Sequence, residues 1–178
     1  TILFDGARFR RETRIELAND ARLLAAEIVV FGRAARGERI GRGHYFDRWR
    51  IARGGCLVWA DALTWTDSPA AALAHTAGYA GAVAAATVVY AGPDAAQHLA
   101  PAREAVAAAS SRAGVTLVNG LIVARFLGTD AQPLRSDLAQ LWCSLRQAAG
   151  NLPARLPRTW YTYCIDDGPG RDGTSGGR

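Results

Sequence analysis

In the first third of the chain, short runs of alternating hydrophobic and polar residues are separated by glycine-containing turns. A period of two is typical of a β-strand with one buried face. In the run YFDRWRI, the residues Tyr45, Asp47, Trp49 and Ile51 share one face. Residues 22–31 end in four consecutive apolar residues, which favours a strand buried on both faces. We therefore expect strands joined by short turns, as in a meander, a sandwich or a β-solenoid.

The pattern changes at Ser68–Pro93, a segment without a charged side chain. It consists mostly of alanine and glycine, whereas a membrane span needs about 20 strongly apolar residues. We expect a flexible loop there, ending in a strand at Ala84–Tyr90. Asp94–Ser111 is rich in alanine and predicts a helix, with Asp94 as the candidate N-cap and Pro101 in a first turn or at a kink.

Two apolar runs flank the pair Asn119-Gly120, which is the strongest short-range signal for a β-hairpin. A helical stripe follows, and we expect Trp142 to be buried with it. The stripe consists of Leu134, Leu138, Leu141, Trp142 and Leu145. The predicted fold is mostly β with α: β-solenoid-like sheets followed by a β-α-β-β-α portion packed on them.

Length and charge set the next limits. A chain of 178 residues is near the usual size of one domain. We expect residues 1–165 to be the C-terminal portion of a single domain, and residues 166–178, which are mostly small or polar, to be a disordered tail. The net charge is +5 and all 21 basic residues are arginine. Because no RNA-binding motif accompanies this charge, we expect no nucleic-acid partner.

The cysteines and the N-terminus suggest a compartment and a boundary. Cys56, Cys143 and Cys164 are far apart and odd in number, which argues against a disulfide framework or a structural zinc site. A reducing cytoplasm fits this usage. The chain lacks methionine and opens with Thr-Ile-Leu-Phe, so we expect it to be a fragment that begins within a strand.

Motifs of catalysis are missing from the sequence. His44, His75 and His98 are not paired at metal-binding spacing, and no nucleophile elbow, phosphate loop or dinucleotide fingerprint occurs. We expect neither a catalytic site nor a tightly bound cofactor.

The stretch Phe31–Ile51 is the main concentration of polar residues, and it is rich in arginine and glycine. It fits a solvated strand and loop. It also fits a protein-contact surface, because arginine and tryptophan are enriched at interface hot spots. Arg33, Arg48 and Trp49 are the candidate partner-binding residues, with Arg50 beside them.

Two carboxylates lie in or next to the apolar strand before this stretch. Glu27 is within the strand and Glu38 follows its exit. Each of them either pairs with a nearby arginine or lines a polar passage, and the sequence leaves both alternatives open.

The order of several segments resembles the UreD (UreH) family of urease accessory proteins. The most specific are FDGARFRRET and GRAARGE, which are followed by DRWRIARGGCLVWADAL, ATVVYAGPDA, AGVTLVNGLIVARFLG and LPARLPRTW. The resemblance covers roughly Ile2 to Trp160, and family chains normally carry a further N-terminal portion rich in strands.

The resemblance implies a nickel-insertion chaperone of the cytoplasm rather than an enzyme. Its partners would be the accessory proteins UreF and UreG and apo-urease, with no membrane partner, and nickel would pass through an internal tunnel. Nickel accepts imidazole and oxygen ligands. Glu27, Glu38 and the less marked His44 are therefore the candidate nickel-transit ligands.

Two other classes of function stay open at this point. One is a β-rich protein-interaction module without a metal role. The other is a hydrolase or nucleic-acid-binding protein, which the lack of clustered nucleophile and base residues disfavours.

Overall fold

The computed structural model describes residues 1–33 and 36–160. The elements in chain order are β1 (Ile2–Leu3), β2 (Arg8–Leu17), β3 (Leu23–Phe31), β4 (Gly43–Arg53), β5 (Cys56–Asp67), α1 (Pro69–Ala74), β6 (Ala84–Ala91), a 3-10 turn (Ala95–His98), α2 (Leu99–Ala107), β7 (Arg112–Val118), β8 (Leu121–Gly128), α3 (Ala131–Gly150) and a second 3-10 turn (Arg158–Trp160). The prediction of a mostly β protein with α-helices is confirmed.

The strands form two sheets, with the orders β1-β3-β6-β8-β7 and β2-β4-β5. From β1 to β4 the chain alternates between the sheets, so that β1 pairs parallel with β3 and β2 pairs parallel with β4. The remaining pairs are antiparallel. Alternation with parallel pairing is what a solenoid would produce, but the solenoid itself stays a prediction.

The two sheets and the helices form three layers, because alternate residues of the five-stranded sheet face different neighbours. On one face, Val88 and Phe126 pack against Leu138 of α3. On the other face, Val89 packs against Ile51 of the three-stranded sheet. The central strands β3, β6 and β8 are therefore covered on both faces, as predicted for residues 22–31.

Two expectations for the middle of the chain need correction. The charge-free segment is not simply a loop, because Pro69 opens the short helix α1. Asp94 makes no capping bond. Its carboxylate instead accepts from the Tyr90 hydroxyl at 2.6 Å and pairs with Arg22 at 3.0 Å, since both donors converge on it. Pro101 lies in the first turn of α2, where its missing N–H leaves no broken bond.

The β-α-β-β-α order is confirmed, and so is the hairpin at Asn119-Gly120. Both turn residues have positive φ, 46° and 79°, as this two-residue turn requires. The leucines of the α3 stripe are buried, but Trp142 is only partly buried. The prediction for Trp142 was wrong because this side chain lies at the edge of the helix–sheet interface rather than within it.

No helix among the described residues is long and apolar enough to cross a membrane. Cys56 and Cys143 are free thiols, whereas Cys164 and the predicted tail at 166–178 lie outside the described residues.

Candidate functional site

A cavity of about 330 Å³ lies between the two sheets. Its walls are partly aromatic and partly charged. The charged and phenolic lining residues are Glu27, Tyr45, Asp47, Asp61, Tyr79 and Arg125. The period of two places Glu27 on the face of β3 that looks toward the second sheet, and Asp47 on the opposing face of β4. Charged side chains from both sheets therefore line the cavity.

Arg11 of β2 joins two of these carboxylates. Arg11 lies directly opposite Asp47 in the parallel pair β2–β4. Its Nε donates to Asp47 Oδ1 at 3.0 Å and one terminal nitrogen donates to Asp47 Oδ2 at 2.5 Å. The same terminal nitrogen also bonds Glu27 Oε2 across the gap between the sheets. One guanidinium group therefore holds two carboxylates from different sheets together.

Both carboxylates are withdrawn from solvent, since the Glu27 side chain is 12% exposed and the Asp47 side chain 9% exposed. Burial raises the pKa of Glu27 above its ordinary value, although Arg11 opposes this shift. Burial alone would lower the pKa of Arg11, but its bonds to Asp47 and Glu27 raise it, so the guanidinium stays charged. The cluster is an ion triad in a poorly solvated gap.

Further polar groups extend the site along the gap. Arg125 of β8 pairs with Asp61 of β5 at 2.8 Å, which makes a second bridge between the sheets. The Tyr45 hydroxyl donates to Asp47 Oδ2 at 3.2 Å. Burial raises the pKa of Tyr45 and of Tyr79, so both phenols stay neutral and can donate or accept hydrogen bonds.

Glu38 lies apart from this cavity, in the loop between β3 and β4. Its Oε1 accepts from the Asp5 N–H at 2.8 Å and its Oε2 accepts from Arg33 Nε at 2.6 Å. These bonds, first that of Asp5 and then that of Arg33, lower the pKa of Glu38. The loop folds onto Gly32, where a Cβ would lie 2.7 Å from the Glu38 carbonyl oxygen. Both carboxylate oxygens of Glu38 thus hold the loop to the start of the chain.

His44 lies on the outer side of β4 and contacts Asp67 Oδ1 at 3.1 Å. Among the described residues, no hydrogen bond or ion pair joins any two of Glu27, Glu38 and His44. In the same part of the chain, no group of three or more His, Cys, Asp or Glu side chains is arranged to hold a metal ion. The structure does not bring the three candidates together, and their role stays a prediction.

The partner-binding candidates point in different directions. Arg33 is exposed and lies 4.8 Å over the Phe4 ring. Arg48 is on the outer face of β4 and pairs with Glu12 at 2.7 Å. Trp49 faces inward, where it lines the cavity and packs edge-on against Trp59. Arg48 and Trp49 therefore cannot belong to one flat surface, and their binding role stays a prediction.

The sequence interpretation missed Arg11, Asp47, Asp61 and Arg125. A signal for all four was present, and the period of two places Asp47 on an apolar face of β4 and Arg11 on the apolar face of β2. A charged residue on an inward face is uncommon unless it is paired. Asp61 and Arg125 carry the same signal, since Asp61 alternates with Trp59 and Leu63 along β5, and Arg125 follows Leu121 and Val123 on one face of β8.

The chain matches the model of the UreD urease accessory protein family over residues 1–161, and it belongs to that family. The protein named "Urease accessory protein UreD" from Magnetococcus marinus is 46% identical over 165 residues, which cover 90% of this chain and 57% of that protein. One from Methylobacterium sp. (strain 4-46) is 44% identical, covering 91% and 57%. One from Granulibacter bethesdensis is 43% identical, covering 91% and 67%. The chain thus spans 57% of the length of the first two relatives.

Family membership confirms the resemblance seen in the sequence. The family is named for an accessory role to urease and not for a catalytic activity, which agrees with the prediction that the chain is not an enzyme.

Proposed function

We propose that the protein helps to deliver nickel to apo-urease during maturation of the urease metal centre. It would act as a cytoplasmic nickel-insertion chaperone together with the accessory proteins UreF and UreG. One observation carries the proposal in this family of urease accessory proteins: the buried carboxylates Glu27 and Asp47 face a cavity between the two sheets.

The cavity supports this role through its oxygen atoms. Carboxylate oxygens are exchangeable ligands for a divalent cation, and nickel accepts oxygen as well as nitrogen donors. Glu27 Oε2 and Asp47 Oδ2 both bond one nitrogen of Arg11, so they converge on a single cationic group. A nickel ion that uses these oxygens must displace the guanidinium, and Arg11 would then restore charge balance after the ion leaves. In this view nickel is a transient cargo.

Glu38 and His44 would act on nickel outside the cavity. Glu38 would have to exchange its bonds to Asp5 and Arg33 for a metal ion. His44 would have to leave Asp67. Glu27 would also have to leave a partner, Arg11, but of the three candidates it is the one that lines the cavity, so the geometry supports it best as a transit ligand.

The test is urease activation in cells at limiting nickel, with Glu27→Gln and Glu38→Ala compared with wild type. Glu104→Gln is the matched control, because Glu104 is exposed on α2. This helix packs on the face of the five-stranded sheet that is turned away from the cavity. We expect Glu27→Gln to lower activation at limiting nickel and excess nickel to restore part of it. Co-purification with UreF and apo-urease should be unchanged.

Full activation by Glu27→Gln at every nickel concentration would refute the transit role of the cavity. Loss of folded protein, seen as a lowered thermal midpoint, would assign Glu27 a structural role instead. The alternative of a β-rich interaction module without a metal role is favoured if activation follows complex formation alone and never nickel concentration.

A further inference from the structure

The outer face of the three-stranded sheet carries a dense group of arginines that the cavity does not use. The alternation that turns Asp47 inward turns the neighbouring arginines outward. We call this surface the arginine face, and it consists of Arg8, Arg10, Arg14, Arg48 and Arg50 on β2 and β4. The parallel register places Glu12 opposite Arg48 and Arg14 opposite Arg50.

Glu12 organises the centre of this face. Its carboxylate accepts from Arg10 at 2.6 Å, from Arg48 at 2.7 Å and from Arg14 at 3.1 Å. These bonds, led by that of Arg48, lower the pKa of Glu12 to about 2. Arg10 also lies 4.4 Å over the ring of Phe46. Three guanidinium groups are thus held in defined positions around one negative charge.

The pair Arg14 and Arg50 is unfavourable for the sheet by itself. Like charges directly opposite each other on neighbouring strands are destabilising. Arg14 is 70% exposed and shares Glu12 with two other arginines. Arg50 is exposed, and among the described residues its side chain has no ion-pair or hydrogen-bond partner. Arg8 lacks such a partner in the same part of the chain.

A depression of about 120 Å³ lies beside these two arginines. It is lined by Arg14, Glu16, Arg50, Ala52, Gly55 and Leu57. Leu57 is 50% exposed at its edge. The depression therefore offers two cationic groups, one carboxylate and one exposed apolar contact, and its net charge is positive.

We propose that the arginine face docks an acidic surface of a partner protein, with one partner carboxylate between Arg14 and Arg50 and an apolar side chain against Leu57. Guanidinium groups bind carboxylates in a planar, two-bond geometry. Such a carboxylate would relieve the repulsion between Arg14 and Arg50. This inference rests on the proposed accessory function, for which it names the chemistry of a partner.

A protein partner fits better than nucleic acid. Glu12 and Glu16 interrupt the positive charge, which disfavours the continuous row of phosphates of a nucleic-acid backbone. A single partner carboxylate between Arg14 and Arg50 still meets a net positive charge. Glu12 already neutralises part of the arginine charge through its bond with Arg48, and the Arg10 guanidinium is stacked on the Phe46 ring. An acidic protein surface with mixed charges and apolar groups matches this pattern.

The experiment measures binding of the full chain to a fluorescent peptide of glutamates with one central leucine, and to duplex DNA, at physiological salt. The variant is Arg14→Glu with Arg50→Glu. The control is Arg103→Glu with Arg112→Glu, which changes the net charge equally at exposed positions outside the face. We expect the face variant to bind the peptide about tenfold or more weakly and the control to remain within about twofold of wild type. Arg14→Gln with Arg50→Gln should give an intermediate loss, with an unchanged thermal midpoint.

Several outcomes would overturn the proposal. Equal loss in the control variant would indicate unspecific charge attraction, and no measurable peptide binding would exclude the face as an acidic docking site. Tighter binding to DNA than to the peptide, lost in the face variant, would indicate a nucleic-acid surface. Because peptide binding needs no nickel, this result is independent of the nickel-limitation test of Glu27.

Discussion

Replacing Arg11 should uncover the electrostatic cost of the two carboxylates between the sheets. In Arg11→Ala, Glu27 and Asp47 lose the guanidinium that bonds both of them. Removing one partner of a buried ion pair typically costs about 3–5 kcal/mol, because an uncompensated charge stays buried. Since the Arg11 side chain is 30% exposed, solvent screens part of this cost, and we expect a loss of about 3 kcal/mol in the free energy of unfolding.

For a chain of this length, each kcal/mol shifts the thermal midpoint by about 2–4 °C, so the expected decrease is about 6–12 °C. The assay is thermal denaturation of the full chain, followed by circular dichroism. Arg10→Ala is the matched control, because Arg10 is on the opposite face of the same strand, is 70% exposed and pairs with Glu12. An exposed pair of this kind contributes about 0–1 kcal/mol.

The pH dependence separates this charge effect from lost packing. Burial already raises the pKa of Glu27, and without Arg11 the repulsion from Asp47 should raise it further. A raised carboxyl pKa means that ionisation costs stability as pH rises beyond the ordinary glutamate value. The difference in the free energy of unfolding between wild type and Arg11→Ala should therefore be smaller near about pH 5 and larger near about pH 8. A stability loss in Arg11→Ala that is equal at both pH values, or no larger than the loss in Arg10→Ala, would refute the reasoning.

Leu138→Ala should cost about 2–5 kcal/mol in chemical denaturation, because Leu138 is fully buried between α3 and the five-stranded sheet. Replacement of the partly buried Trp142 by alanine should cost less, and the reverse order would contradict the layer packing. Gly120→Ala should cost about 1–2 kcal/mol, because Gly120 has a φ of 79°. Gly114→Ala is its control, since a Cβ there meets nothing within 4 Å, and equal losses would argue against the hairpin turn. For Asp137, burial alone would raise the pKa, but bonds from Ser111 and Ser110 lower it. The ionised Asp137 carboxylate therefore stabilises the fold at pH values above the ordinary pKa of aspartate, and this stabilisation is lost as pH falls. The stability of Asp137→Asn should accordingly fall less steeply with acid below about pH 4. An unchanged acid transition would contradict this role.

Much of the secondary structure could be predicted from local sequence. The Asn119-Gly120 turn needs two residues that tolerate positive φ, and that requirement is visible in the dipeptide itself. The leucines of α3 recur at helical spacing, so their burial followed from the period. The short helix α1 was missed because Pro69 and the alanines after it carry no periodic pattern.

The candidate site could be predicted only in part. The sequence singled out Glu27 and left two alternatives, pairing with an arginine or lining a polar passage. The structure shows Glu27 bonded to Arg11 at the wall of a cavity, and its place in a polar passage stays a prediction. Glu38 also pairs with an arginine, Arg33, but it lies in a loop away from the cavity.

Local sequence patterns were sufficient to predict which residues share a face of each strand, the hairpin, the α3 stripe and the family. It could not determine what each face meets. Arg11 reaches Asp47 because two strands 36 positions apart pair in parallel, and it reaches Glu27 because a second sheet lies over them. A period of two fixes the direction of a side chain relative to its own strand. Only the stacking of layers, which depends on contacts distant in sequence, decides which charges meet in the gap between the sheets.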